Sequence, residues 1–436
     1  MSVKKFVKGT IILTGAGILS RILGFFFKIY LSRLIGAEGM GLYQLIMPVN
    51  AIGYAIGISG FEIAVSRLTA LYISQNKKQN AFTATMLALI YSLGLCIIFS
   101  VLIYLFAKPI AIGLLENINC TSLIKAVTIS LPFCAIHCMV SSYFLGRENT
   151  VFPAVSQLLE QLVRIAAIYF VIEITGKSDA LAGVICLVIA EIGAAIFSIS
   201  YLIFTVKDKP TFNFKILKKI SGKIFSTYLP ISANRVILLG VQSAEIMIIP
   251  KMLVKSGLTI SQALATIGVI SGMCLPLILF PATLSNSIGL MLLPNVSKNK
   301  NNPDQIIKAS NSSLIFSSLF GLICILIFIT VGGRIGAIAF KEPQVEIYIN
   351  ILAWLCPFIF LSTTFKSILN ALGKSSRVFA NNMLSEIICI IFIVVFIPLW
   401  GIKAYLYGLL ISQATNAILQ IAGYCSHMKK IQSTDC

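Results

Sequence analysis

The sequence predicts an all-α polytopic membrane protein with about twelve transmembrane helices in two six-helix lobes. Three observations carry this. Of 436 residues, 58% are hydrophobic and 11% charged, with a mean hydropathy of +0.94, against roughly 25% charged in soluble domains. Apolar runs of about 20 residues, enough for a hydrocarbon core of about 30 Å, recur from end to end. The cations between those runs are unequally divided between alternate loops.

The spans are placed near 9–35, 41–73, 82–107, 122–145, 152–174, 181–206, 224–250, 262–294, 309–331, 346–371, 379–399 and 402–426. The N-terminus, MSVKKFVKGTIILTGAG, has the basic flank and apolar body of a signal peptide. No small-residue cleavage site ends it, and it reads as an uncleaved first span. Of the 34 Lys and Arg, nineteen fall in loops on one side and eight on the other, with seven inside spans. The positive-inside rule then makes both termini cytoplasmic. The net charge of +19 is thus a topology signal and an attraction to anionic lipid, not a nucleic-acid footprint.

The longest polar segment, KDKPTFNFKILKKISGK, divides the chain into an N-terminal lobe (1–206), a basic cytoplasmic linker (207–223) and a C-terminal lobe (224–436). The halves repeat one another. Pro132-Phe133 aligns with Pro357-Phe358, and after a two-residue shift Gly146-Arg147 and Val151-Phe152 align with Gly373-Lys374 and Val378-Phe379. Six spans per half make the repeats parallel, an arrangement common in transporters that alternate access between halves.

Charges inside spans are costly, about 2.5–3.5 kcal/mol each at a helix centre, and need a reason. Arg21 and Lys28, seven residues apart, share one face of the first span. With Arg235 of the seventh, they have no acidic residue one turn away and read as the wall of a wet cavity that receives an anion. In the fifth span Gln157, Glu160, Gln161 and Arg164 form an i, i+3, i+4, i+7 stripe in which Glu160 and Arg164 can pair as a structural ion pair. Gln242 shares a face with Arg235, and Glu245 lies near it. Arg33, Arg67 and Lys366 read as snorkelling or interhelical cations. Glu62, Glu191 and Glu245 are coupling candidates for protons or sodium, or partners for the cations. Pro48, Gly53, Gly57 and Gly60 in the second span, Pro276 and Pro281 in the eighth and Pro357 in the tenth are hinge candidates, since interrupted helices at matching places mark a transport path; ordinary tolerance of Gly and Pro in membrane helices is the plainer reading.

Enzyme chemistry is not indicated. There is no Walker A loop, and the two histidines, His137 and His427, lack a nucleophile context. Eleven cysteines are scattered singly with no CxxC pair. Cys134, His137 and Cys138 come closest to a metal cluster, but without a fourth ligand they read as packing residues. No cofactor is expected beyond a membrane potential or an H+ or Na+ gradient.

SRILGFFFKIYLSRLIGAEGMGLYQL, GISGFEIAVSRLTA from Gly57 and GMCLPLILFPATLSNSIGLMLLPNVSK from Gly272 resemble the polysaccharide-export and stage V sporulation protein B family. That family belongs to the superfamily of multidrug and toxin extrusion transporters and lipid-linked oligosaccharide flippases. The resemblance implies a V-shaped bundle in the plasma membrane and a flippase for an undecaprenyl-pyrophosphate-linked peptidoglycan or polysaccharide precursor, associated in sporulating relatives with the spore cortex. It also implies that Arg21 and Lys28 line the cavity, with lipid-linked sugar and membrane lipids as partners alongside cell-wall synthases. Two departures stand out: lipid II flippases usually have fourteen spans, and Glu62 stands where relatives often have proline or a small residue. The competing readings are a proton- or sodium-coupled exporter of organic cations, which should show a predominantly acidic cavity, and a non-transporting scaffold for cell-wall synthases, in which polar stripes are helix glue.

The charge asymmetry is testable directly. A cysteine introduced at Lys215 should resist a membrane-impermeant thiol reagent added to intact cells; labelling from outside inverts the orientation.

Overall fold

The computed structural model describes residues 3–176, 179–208, 210–211, 213–282 and 303–434. Among these residues all regular structure is helical. The principal helices are α1 (Val3–Gly57), α2 (Ser59–Ser74), α3 (Lys78–Leu105), α4 (Cys120–Thr128), α5 (Ser130–Gly146), α6 (Val151–Thr175) and α7 (Ala180–Thr205). They are followed by α8 (Phe214–Lys255), α9 (Ile260–Ile267), α10 (Pro303–Ile327), α11 (Gly333–Phe340), α12 (Gln344–Leu352), α13 (Leu355–Ala371), α14 (Ser375–Ile391) and α15 (Ile402–Thr434).

Among the described residues nine helical stretches are long and apolar enough to cross a membrane, and a tenth arises if α12 and α13, bent by 47°, form one span. One of the nine, Ile11–Ser74, has 64 residues. At 1.5 Å per residue that is about 96 Å, some three times the hydrocarbon thickness, so it holds two crossings. Inside it Gly36 leaves helical geometry (φ 68°, ψ −178°). The expected twelfth span lies on α15, whose polar stripe keeps it from qualifying by composition alone. The eighth is described only to residue 282, and the second half of its quoted motif lies outside the described residues.

The chain forms two compact units: Met1–Ile35 with Leu42–Met247, and Gly36–Gly41 with Ile248–Cys436. The first unit therefore includes most of α8, and residues 214–223 are the start of that helix. Its largest aromatic cluster stacks Phe144, Phe152, Phe197 and Tyr201, with Phe152 and Tyr201 centroids 4.7 Å apart. Small residues recur where helices meet: Ala81, Ala84 and Ala88 of α3, and Ala182, Cys186, Ala190 and Ala194 of α7, are all buried. Lipid offers no hydrophobic drive for one apolar helix to leave it for another, and close backbone approach supplies dispersion contacts instead.

The second unit captures residues 36–41. Ser261 Oγ donates to Glu38 Oε2 at 2.6 Å. Gly41 and Gly268 let the two backbones touch, since a Cβ on either would overlap the other segment's main chain. A π-helical stretch, Gly268–Cys274, follows α9 and leads into the turn that carries Pro276. Pro281 lies in a turn just beyond, whereas Pro48 is accommodated inside α1 without a break. The core of this unit gathers Phe365, Ile368, Leu369, Tyr424 and Met428, and Ser317 and Thr364 hydroxyls bridge α10 to α13 at 2.9 Å.

The second span is broken at Gly57–Ser59, where the glycines Gly53, Gly57 and Gly60 cluster. A break at membrane depth exposes carbonyls that no water can satisfy. Ser92 of α3 donates to Gly57 O at 2.6 Å, and Tyr228 of α8 donates to Ile56 O at 2.7 Å. Tyr228 also stacks on Phe61 with centroids 4.0 Å apart, and Gly60 makes room, since a Cβ there would lie 2.5 Å from Ser232 Oγ. Tyr228→Phe and Ser92→Ala should each lower stability in detergent unfolding by about 0.5–2 kcal/mol, and Gly60→Val by more. Wild-type stability for both hydroxyl deletions would show that the break does not depend on these donors.

Candidate functional site

All ten charged or amide site residues predicted from the sequence fall in the first unit. The structure separates them into three groups.

The first group is the cation face of α1. Arg21 is exposed, and Lys28, two turns on, is half-buried. Among the described residues neither forms an ion pair. What Lys28 meets is another cation, since Arg164 of α6 lies within electrostatic reach of it. α1 and α6 run side by side in the same direction: Gly24 faces the Gln161 amide, and Tyr30 stacks on Tyr169 with centroids 5.3 Å apart. Arg33 is exposed near the Gly36 kink.

The second group is centred on Arg164. Its guanidinium donates to Glu160 Oε1 at 2.5 Å, with both side chains largely withdrawn from the surface. The same cation lies within reach of Glu191 on α7, of Tyr43 on α1 and of Cys186 on α7. Glu191 in turn neighbours Glu160 and reaches the Cys134 thiol on α5, and His137 faces Glu160. Two helices, α6 and α7, thus bring Arg164 together with the carboxylates of Glu160 and Glu191, and α1 places Lys28 beside the same guanidinium. Gln161 Oε1, Arg164 Nε and Glu191 Oε2 are buried with no hydrogen-bond partner among the described residues. Gln157 lies one turn before Glu160 on the same stripe and is half-buried.

The third group forms beside the broken second span. Tyr54 donates to Glu62 Oε2 at 2.7 Å, and Arg235 of α8 lies within electrostatic reach of the same carboxylate. Arg235 has no acidic neighbour on its own helix turn, and the tertiary fold supplies one from another helix. Gln242 is half-buried and Glu245 buried further along α8. Among the described residues no three His, Cys, Asp or Glu side chains are placed to hold a metal ion.

Two features escape a charge-based reading. A cavity of about 300 Å³ lined by Leu42, Asn119, Ser122 and Asp179 opens at the start of α7. In the second unit, neutral amides tie α14 to α15. Asn381 Nδ2 donates to Gln420 Oε1 at 3.2 Å, Gln420 Nε2 to Asn416 Oδ1 at 3.1 Å, and Asn416 Nδ2 to Asn382 Oδ1 at 3.3 Å. Ser385 donates to Ser412 O at 2.6 Å. The i, i+4, i+8 spacing of Ser412, Asn416 and Gln420 was the available signal. Close by, Lys366 of α13 faces Glu386 of α14.

A wholly helical chain that crosses the membrane many times and places charged side chains inside one compact unit defines a multi-span membrane protein with a polar interior. The chain belongs to the polysaccharide biosynthesis protein family, whose model matches residues 6–253. It is similar to stage V sporulation protein B of Bacillus subtilis (strain 168), 24% identical over 97% of this chain and 84% of that protein. It is also similar to the lipid II flippase MurJ of the same organism, 23% identical over 83% of this chain and 71% of that protein. Among solved structures it shares the fold of a multidrug resistance MATE family transporter of the MOP superfamily in its inward-facing conformation. The TM-score is 0.76 at 13% identity, covering 98% of this chain and 100% of the other.

Arg164 is the counter-charge for two carboxylates. Arg164→Met should destabilise the protein by about 3 kcal/mol in unfolding measurements, because it leaves Glu160 and Glu191 uncompensated. Adding Glu160→Gln should recover part of that loss, a coupling a double-mutant cycle reads directly. Strict additivity would dissolve the network.

Proposed function

We infer that this protein is a membrane transporter that flips an undecaprenyl-pyrophosphate-linked cell-wall precursor, peptidoglycan or polysaccharide, across the plasma membrane by alternating access. The observation that carries the reading is the cation face of α1: Arg21 and Lys28, two turns apart, with the first exposed and neither in an ion pair with a carboxylate among the described residues. Family membership and similarity to a lipid II flippase and a sporulation protein support it, the latter favouring a place in spore cortex synthesis.

A pyrophosphate cannot cross hydrocarbon unaided, and desolvating it without partners costs far more than the flip could recover. Arg21 and Lys28 supply charge-assisted hydrogen bonds to the head group while the prenyl tail stays in lipid. Lys28 is held beside Arg164, and an incoming anion relieves that like-charge contact, which favours binding at this level of the helix. Arg235 serves the same path, held by Glu62. An inside-negative potential favours outward movement of the anion by about 2.3 kcal/mol per charge per 100 mV. Both termini lie in the cytoplasm in this reading, and the broken second span and the turn at Pro276 and Pro281 supply the hinges. Glu160, Glu191 and Glu62 are the groups through which an H+ or Na+ gradient would act, with Glu245 a further candidate.

The second reading is an antiporter of organic cations. The carboxylates Glu62, Glu160 and Glu191 inside the first unit favour it, as does the shared fold with a multidrug transporter.

Reconstitution in vesicles with a fluorescent lipid-linked precursor and a leaflet-accessibility assay separates the two. Arg21→Ala and Lys28→Ala should each slow flipping at least tenfold, the loss of about 1.4 kcal/mol of binding. Unchanged flipping in both sinks the cavity role. pH-dependent export of a cationic dye with no precursor movement installs the antiporter.

A further inference from the structure

Cys134 and Cys138 are spaced i, i+4 on α5, and their sulfur atoms lie 3.9 Å apart. Both are half-buried and both are free thiols. Both pack against the hydrophobic core of the first unit, as their reading as packing residues expects, and together they form a dithiol bordered by acidic and phenolic side chains. Glu191 reaches Cys134, Glu62 and Glu160 lie near Cys138, and Tyr54 faces both.

Three uses of a dithiol can be compared. A disulfide needs Cβ atoms about 3.5–4.5 Å apart, whereas i, i+4 positions on a helix hold them at about 5–6 Å; an unbroken α5 cannot close one. Zinc needs four ligands in a tetrahedron. Among the described residues no third protein donor joins the pair. What remains is a soft, three-coordinate centre that takes two sulfurs from the protein, brings its own third substituent and reacts with neutral thiols. A single bridging atom fits between sulfurs at van der Waals separation with small χ1 adjustments.

We propose that Cys134 and Cys138 form a binding site for trivalent organoarsenicals, which bridge the two sulfurs inside the first unit. With phenylarsine oxide the step is a condensation. Two arsenic–sulfur bonds form, the arsenic–oxygen bond breaks, and the two thiol protons leave with that oxygen as one water; arsenic stays trivalent and nothing is oxidised. The site is independent of which solute the protein carries.

The test uses the full-length protein in detergent, treated with one equivalent of phenylarsine oxide and weighed intact. The wild type should gain one phenylarsenic per chain, retained against 2-mercaptoethanol and removed by the dithiol 2,3-dimercaptopropanol. Cys134→Ser and Cys138→Ser should each bind about a hundredfold more weakly, since a single thiol loses the second, intramolecular bond. Cys425→Ser, at an exposed thiol on α15, should bind like the wild type. Thermal unfolding of each variant reports its folding, and Cys138→Ala provides a second deletion without a new hydroxyl. Stoichiometric, monothiol-resistant binding by Cys134→Ser, or release of the wild-type adduct by 2-mercaptoethanol, overturns the site.

Discussion

A bilayer interior contains no water, and every carbonyl or charge that a helix does not satisfy must find a partner in another helix. The second span shows this constraint most plainly. Its glycines break the helix at Gly57–Ser59, and two hydroxyls from distant parts of the chain, Ser92 and Tyr228, take up the carbonyls at the break. Tyr228 then stacks on Phe61, and Glu62, the next residue, accepts from Tyr54. A local interruption thus draws α3, α8 and α1 into one arrangement, and a carboxylate is held at its edge.

The same constraint organises Arg164. One guanidinium answers the carboxylates of Glu160 and Glu191 and stands beside Lys28, a second cation from α1. A bare charge at this depth would be expelled or neutralised; Arg164 is kept by Coulomb attraction to Glu160 and Glu191 in a poorly screened medium. In the second unit the problem has a different solution. Asn381, Asn382, Asn416 and Gln420 satisfy one another with neutral amides, which cost less to bury than ions. The first unit thus relies on an ionic cluster where the α14–α15 contact of the second relies on amides.

This difference bears on function. The ionic interior and the α1 cation face both lie in the first unit, which coincides closely with the residues matched by the family model. In the flippase reading proposed above, the anion would draw on Arg21 and Lys28 and a coupling ion on Glu62, Glu160 and Glu191, which are different side chains.

The sequence alone determined the class: composition and the recurrence of apolar runs demand a polytopic helical protein, because only helices satisfy their own backbone in lipid. It also determined the faces, since Arg21 and Lys28 or Glu160 and Arg164 meet by helical spacing on one element. What it left undecided was every meeting between elements. Glu62, Glu191 and Glu245 were all open as partners for the cations until α2 placed Glu62 near Arg235, the 3.9 Å approach of the Cys134 and Cys138 sulfurs came only with their packing, and the asparagines of α14 and α15 carried no charge to draw notice. Spacing along one helix follows from its pitch, whereas the approach of two helices depends on small residues such as Gly60 and Gly268 that let backbones touch, and that contact exists only in the folded chain.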